Sequence, residues 1–264
     1  MRNIEFTKIV ATGNDFVIIE DRVQSTENRK FEELAKKICD RKYGIGADGM
    51  LLLEKTAKAD IRMRIFNPDG SEAEMCGNGA RCCAKYYSFK LSALSYQPIK
   101  IETKSGILEA IVNDDIVKLK MSDPKGIKAN YINTGVPHAV IFVDDLENTD
   151  VDGLGRKIRN SKEFAPAGAN VDFVKIIDKD TIAVRTYERG VEAETLACGT
   201  GAVASAIITE YREQSIENRN KIDVKTRSGE TLKVYFEKNR DKISNVWLEG
   251  TAKIVYTGGF NYDS

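Results

Sequence analysis

The chain contains itself twice, and this duplication constrains its fold more than any other feature. Glu74-Met75-Cys76-Gly77-Asn78-Gly79-Ala80 returns as Leu196-Ala197-Cys198-Gly199-Thr200-Gly201-Ala202, 122 residues later. Thr12-Gly13-Asn14 returns as Thr134-Gly135-Val136, and Ile45-Gly46-Ala47-Asp48 as Ala167-Gly168-Ala169-Asn170. Lys100-Ile101-Glu102 likewise returns as Lys221-Ile222-Asp223. Four segments in one order at nearly one spacing predict two copies of one unit, and such copies commonly pack about an approximate two-fold axis. The two cysteines are then expected to face each other across the cleft between the copies.

A length of 264 residues suits two domains of ordinary size. β-Branched and aromatic residues mark strands in Glu5–Ile19, Arg62–Phe66, Ile116–Met121 and Thr181–Tyr187. Helical spacing of Phe31, Leu34, Ala35, Ile38 and Cys39 predicts a helix between Ser25 and Arg41, capped by Ser25 or Thr26, with Cys39 in the core. Helices are also expected over Ala80–Leu91 and Ala202–Arg212, immediately after each cysteine loop, with Cys82 and Cys83 in or near the core. Ser122-Asp123-Pro124-Lys125-Gly126 is turn-rich and marks the boundary between copies. The expected fold is α+β: two pseudo-symmetric domains, 1–121 and 122–251, each a sheet folded around a central helix.

Lysine plus arginine equals aspartate plus glutamate, at 40 each, so nothing points to nucleic acid as a partner. The N-terminus reads as a strand, and no apolar run approaches membrane length. Five cysteines without an export signal predict free thiols in a reducing cytoplasm. A single histidine and the lack of a CxxC pair disfavour a zinc site, and no cofactor is expected.

The cysteine loops carry the chemistry. A thiol acts as a base only as thiolate, and a helix N-terminus favours that anion, so both cysteines are expected to have lowered pKa values. Glycines around them let backbone N–H groups approach a ligand, and two helix N-termini make a carboxylate site. Opposed thiols suit a reaction in which a proton leaves one face of a carbon and returns to the other. Cys76 and Arg81 are separated by four residues, one short of a phosphatase loop. A cysteine hydrolase could pair His138 with either thiol but leaves the second loop unexplained. Asn67 lies in a strong turn, Asn67-Pro68-Asp69-Gly70, and takes the place in the first copy that Glu188 takes in the second. Glu188-Arg189 could hold an ammonium and a carboxylate.

Together, Gly13-Asn14-Asp15-Phe16, Gly44-Ile45-Gly46-Ala47-Asp48-Gly49, Phe66-Asn67-Pro68-Asp69-Gly70, Cys76-Gly77-Asn78-Gly79-Ala80-Arg81-Cys82, Pro137-His138, Glu188-Arg189-Gly190 and Ala197-Cys198-Gly199-Thr200-Gly201 closely resemble diaminopimelate epimerase. The resemblance covers essentially the whole chain. It implies inversion of one α-carbon of LL-2,6-diaminopimelate to the meso form without pyridoxal phosphate or metal, usually by a homodimer. It also implies that a C-terminal strand, about 252–264, returns to the first domain. By the same resemblance Cys76 and Cys198 are the acid/base pair, with Cys198 the acceptor in the LL-to-meso direction. Gly77, Asn78, Gly199 and Thr200 would hold the reacting carboxylate. Asn14, Asn67, Asn170 and Arg189 would contact substrate, with His138 and Glu188 near the reacting amine. Two departures concern the substrate: Val136 stands where the family usually has asparagine, and Val191-Glu192-Ala193-Glu194-Thr195 is one residue longer than the family's link. A racemase of the same mechanism acting on another amino acid, such as histidine, is the alternative.

Overall fold

A computed structural model describes residues 2–21, 31–91, 98–213, 219–239 and 242–262. The chain forms two compact units, Met1–Leu119 with Thr251–Ser264, and Lys120–Gly250. The first contains β1 (Arg2–Ala11), β2 (Asn14–Glu20), α1 (Phe31–Cys39), β3 (Gly49–Glu54), β4 (Ile61–Phe66), β5 (Glu72–Ala73), α2 (Gly77–Leu91), β6 (Ile99–Thr103), β7 (Gly106–Asn113) and β8 (Ile116–Lys120). The second contains β9 (Lys125–Lys128), β10 (Tyr131–Asn133), β11 (Pro137–Phe142), α3 (Val151–Arg159), β12 (Asn170–Asp178), β13 (Thr181–Glu188), β14 (Ala193–Thr195), α4 (Gly199–Glu213), β15 (Lys221–Lys225), β16 (Thr231–Asn239) and β17 (Lys242–Thr251). Strand β18 (Lys253–Tyr262) completes the first unit by pairing antiparallel with β1.

Strand pairing repeats step for step. In the first unit β1–β2 is antiparallel, β2–β3 parallel, β3–β4 antiparallel and β4–β6 parallel. In the second, β10–β11, β11–β12, β12–β13 and β13–β15 follow the same sequence of directions. The short strands β5 and β14 each fold back on the end of the preceding strand. The edge that β18 covers in the first unit is covered by β9 in the second.

Helices α2 and α4 are the central ones. Each packs against strands spread around its sheet, β1, β2, β4, β6 and β7 for α2, and β10, β11, β12, β13, β15 and β16 for α4. Their sequences lack a polar face: Asn78–Ala84 and Tyr86 are buried, as is every residue from Gly201 to Glu210. A helix surrounded by sheet needs apolar or small residues on all sides, which explains the Ala-rich run Ala202-Val203-Ala204-Ser205-Ala206. Within α4, Glu210 is matched by Arg219 at 2.8 Å and Lys238 at 2.6 Å. The flanking helices are amphipathic instead. Helix α1 buries Leu34, Ala35, Ile38 and Cys39, and α3 buries Val151 and Gly155. Burial pushes the Cys39 thiol up to about 11 and raises Cys82 and Cys83 as well, which fits their core placement.

One sequence expectation about the elements needs adjustment. The segment Glu5–Ile19 is two strands, because Thr12 and Gly13 both take positive φ (52° and 79°) and turn the chain. Helix α3 carried too few apolar residues to stand out, yet Asp150 caps it by accepting from the Gly153 N–H at 2.9 Å. The expected caps Ser25 and Thr26 of α1 lie outside the described residues. Among the described residues no helix is long and apolar enough to cross a membrane.

Helix α3 approaches its sheet closely at Gly155, where any Cβ would overlap the Tyr187 side chain. Gly155→Ala should therefore destabilise the fold by about 1–3 kcal/mol through overpacking. Urea unfolding checks this, since the midpoint should fall with little change in slope.

Candidate active site

Each central helix starts at its cysteine. The Cys76 carbonyl accepts from the Ala80 N–H at 2.8 Å, and the Cys198 carbonyl from Ala202 at 2.9 Å, which closes the first helical turn in both units. The glycines therefore lie inside the first turn rather than in a loop before it, and the helices begin at Gly77 and Gly199, three residues earlier than patterning predicts. The first N–H groups of a helix have no partner within it, so Gly77, Asn78, Gly199 and Thr200 supply backbone donors at the two cysteines. A Cβ at Gly77 would meet nothing within 4 Å, leaving that donor approachable. Cys76 and Cys198 are only partly buried, unlike Cys39, Cys82 and Cys83.

In the first unit, the Cys76 sulfur accepts from the Gly79 N–H at 3.5 Å. Arg81, fully buried, donates to Asn78 Oδ1 at 2.6 Å and to Thr12 Oγ1 at 2.7 Å, tying the β1–β2 turn to the helix start. Asn14 follows that turn, and its Oδ1 is buried without a hydrogen-bond partner. Asp15 beside it pairs with Lys8 at 2.5 Å and Arg41 at 2.7 Å. Hydrogen bonds from these cations hold the Asp15 carboxyl well below the usual range despite burial. Asn67 is exposed and donates to Ser71 Oγ at 2.9 Å, so within its own unit it acts as a turn residue.

In the second unit, Thr134 Oγ1 donates to the Thr200 carbonyl at 3.1 Å, the counterpart of the Thr12 tether. Behind the helix start lies a buried polar chain. The Arg189 N–H donates to Asn170 Oδ1 at 2.7 Å, which turns the Asn170 amide nitrogen toward His138 Nε2 at 3.3 Å. His138 Nε2 must then accept, so its proton sits on Nδ1 and is donated to Asp172 Oδ2 at 2.7 Å. Thr186 donates to the other Asp172 oxygen at 2.8 Å. His138 and Asp172 are fully buried. Both imidazole nitrogens are engaged, so His138 is not poised as the base of a cysteine hydrolase. Arg189 contributes its backbone here, and its guanidinium donates to the Gly168 carbonyl at 3.5 Å.

These groups set the thiol. Burial raises the Cys198 pKa well above the ordinary thiol value, and the Glu188 and Asp172 charges add to the rise, against smaller opposing effects of Thr200 and the Gly201 N–H. This corrects the expectation that a helix N-terminus leaves Cys198 acidified: desolvation and two carboxylates outweigh it. Burial likewise raises the Glu188 carboxyl.

Sequence reading missed Asp172 and Thr186, and the strand register shows why. Phe16 pairs with Gly49, and His138 with Asn170, so Asn170 corresponds to Gly49 rather than to Asp48. Continuing along the strands, Asp172 takes the place of Leu51, and His138 that of Phe16. A Cβ on Gly79 would touch Leu51 at 3.2 Å and Phe16 at 3.7 Å, whereas one on Gly201 would overlap Asp172 Oδ1. One cysteine helix thus starts against an apolar wall and the other against a charged one.

Solved structures share this fold. A phenazine biosynthesis protein of the PhzF family from Bacillus anthracis superposes with a TM-score of 0.76 at 19% identity, covering 99% of this chain and 100% of that one. A hydroxyproline epimerase from Agrobacterium vitis, with bound trans-4-hydroxy-L-proline, gives 0.66 at 15% identity over 98% and 92%. Closer in sequence are proteins called diaminopimelate epimerase from Methanocella arvoryzae, 42% identical over 100% of this chain and 99% of its own length, and from Aquifex aeolicus, 38% identical over 97% of each. The protein is an isomerase of the epimerase type. With a family model matching residues 6–126 and 130–255, the chain belongs to the diaminopimelate epimerase family.

Two outcomes follow for the second unit. As His138 is the only histidine, its imidazole nitrogens can be read singly by NMR after uniform ¹⁵N labelling. Nδ1 should carry the proton, and Asp172→Asn should abolish that pattern and lower kcat by roughly 10–100-fold, the range for losing a charge-assisted hydrogen bond. Iodoacetamide should alkylate Cys198 more slowly than a free thiol at pH 8–9. Glu188→Gln should speed it about threefold or more, because removing a neighbouring negative charge lowers a thiol pKa.

Proposed function

We propose that the protein inverts an amino-acid α-carbon by a two-thiol mechanism, with diaminopimelate as substrate. The observation that carries this is the duplication of one arrangement: a partly exposed cysteine at the start of a buried helix, once in each of two identically wired units. Family membership supports the substrate, as do the relatives' names.

In the LL-to-meso direction the Cys198 thiolate takes the α-proton, and the electron pair left on carbon delocalises into the α-carboxylate. Helix N-terminal N–H groups at Gly77, Asn78, Gly199 and Thr200 stabilise that growing charge. Cys76 then delivers its proton to the opposite face, leaving Cys76 as thiolate and Cys198 as thiol. The charge balance at Cys198 fits this order. Its thiol is held protonated partly by Glu188 and Asp172, and a substrate ammonium seated beside Glu188 offsets that charge, so the base forms when substrate is present. Asn14 Oδ1, buried and unpartnered, offers an acceptor for another substrate N–H. His138, held by Asp172 and Asn170, shapes the wall behind Cys198.

The distal end of the substrate is where this chain departs from its family pattern. Val136 presents no amide, and the longer link forms a turn in which Glu192, at φ 61°, bonds Arg159 at 2.7 Å and the Gly190 N–H at 3.0 Å. A lost amide contact weakens binding by about 0.5–1.5 kcal/mol, so diaminopimelate is turned over with relaxed discrimination.

The test is solvent deuterium incorporation at Cα and kcat/KM for LL-diaminopimelate, lanthionine, histidine, lysine and arginine. Diaminopimelate should lead, and Val136→Asn should widen its lead. Cys76→Ala and Cys198→Ala should each remain folded and lose essentially all turnover. A strong preference for histidine or another monocarboxylate would overturn the substrate. Near-wild-type epimerisation by either alanine variant would overturn the mechanism.

A further inference from the structure

The cysteine loops hang from very short strands. Cys76 comes four residues after Glu72 on the two-residue β5, and Cys198 four residues after Glu194 on the three-residue β14. Ladder bonds of that length fix a hairpin arm poorly, so other contacts must set the angle at which each loop leaves it.

Both units supply the same contact. Arg64 on β4 grips Glu72 with Nε on Oε1 at 2.8 Å and a terminal nitrogen on Oε2 at 3.0 Å. Arg185 on β13 grips Glu194 with the same atoms at 2.7 and 2.8 Å. The register is identical: Glu72 pairs with Phe66, two residues beyond Arg64, and Glu194 with Tyr187, two beyond Arg185. A second cation reaches each glutamate from the turn after the next strand. Lys104 lies 2.8 Å from Glu72, and Arg227 lies 3.7 Å from Glu194, in the matching turns Lys104-Ser105-Gly106 and Arg227-Ser228-Gly229.

The arginines are themselves anchored. Arg64 lies 4.9 Å over the Phe66 ring and 3.5 Å from Glu54. Arg185 donates to the carbonyls of Leu146, Glu147 and Thr149 at 2.7, 3.0 and 3.1 Å. In the second unit the turn also holds the loop directly, for the Ser228 N–H donates to the Leu196 carbonyl at 2.9 Å, two residues before Cys198. All four fork side chains are largely buried, between 10% and 21% exposed. A two-point fork between rigid planes fixes direction as well as distance, which a lysine in the same place does not.

We propose that Arg64–Glu72–Lys104 and Arg185–Glu194–Arg227 form a duplicated ionic clip that aims each cysteine loop, each clip governing one of the two proton-transfer faces. The clip residues are positioning residues, and their link to catalysis rests on the two-thiol reading above.

The experiment uses the full chain with Glu72→Gln, Glu194→Gln, Arg64→Lys and Arg185→Lys, and with Arg64→Glu combined with Glu72→Arg. Iodoacetamide alkylation of each cysteine is followed by peptide mass mapping without substrate, alongside kcat and KM for LL-diaminopimelate. Glu72→Gln and Arg64→Lys should change the Cys76 rate about fivefold or more and leave Cys198 within about twofold, and the Glu194 and Arg185 variants should do the reverse. Turnover should drop about tenfold or more in kcat, with KM within about threefold, as expected for an interaction that matters mainly in the transition state. The charge-swapped pair should recover much of the loss. If Glu72→Gln or Glu194→Gln does not fold by circular dichroism, Lys104→Gln and Arg227→Gln enter the same assay. Equal changes at both cysteines, or none at either, would overturn the clip. Failure of the two-thiol reading looks different: the alkylation pattern would persist in a protein that does not epimerise diaminopimelate.

Discussion

The structure of the site depends on a problem that every helix start has. The first N–H groups of α2 and α4 point along the axis with no partner in their own helix, and both helices are sheathed in sheet. Such donors are costly to leave unmatched where water is scarce. The fold places a cysteine at each start, removes side chains at Gly77, Gly79, Gly199 and Gly201, and ties the neighbouring turn down with a threonine, Thr12 or Thr134. What remains is a pair of anion-seeking ends, each with a sulfur beside it. In the proposed reaction the substrate carboxylate completes the hydrogen bonding that the protein leaves open.

The two copies have kept their wiring and changed their walls. Phe16 and Leu51 line the first helix start, and Asp172 and Thr186 the second, with His138 hydrogen-bonded to Asp172. An apolar wall and a charged wall give the two thiols different surroundings. Asn170 links the wall to Arg189, and Arg189 follows Glu188, so one polar chain runs from β11 through β12 to the end of β13. Within that chain both His138 ring nitrogens are engaged, Nδ1 by Asp172 and Nε2 by Asn170.

Much of this was legible in the sequence. Repetition gave two units, and helical patterning gave α1 and most of α2 and α4. The adjacency of Cys76 and Cys198 to helix starts followed from the glycines after them. Three things were hidden for identifiable reasons. Helix α3 buries only Val151 and Gly155, too little for an apolar stripe to show. Asp172 sits amid Val171, Phe173 and Val174, where a carboxylate reads as an interruption until strand pairing brings His138 beside it. The Cys198 thiol is raised rather than lowered, first by burial and then by the Glu188 and Asp172 carboxylates, and a linear reading gives the helix end but neither of these.

Strand order along the chain has a further consequence. The second unit is one continuous stretch, with its edge strand β9 made before the rest of it. The first unit is closed by β18, which follows the entire second unit in sequence. During synthesis, β1 must therefore wait with one edge unpaired until the second unit has emerged, and an open strand edge is a template for wrong pairing. The downstream unit can finish folding first, an inversion of the usual N-to-C order that makes the early half of the nascent chain the one most in need of protection.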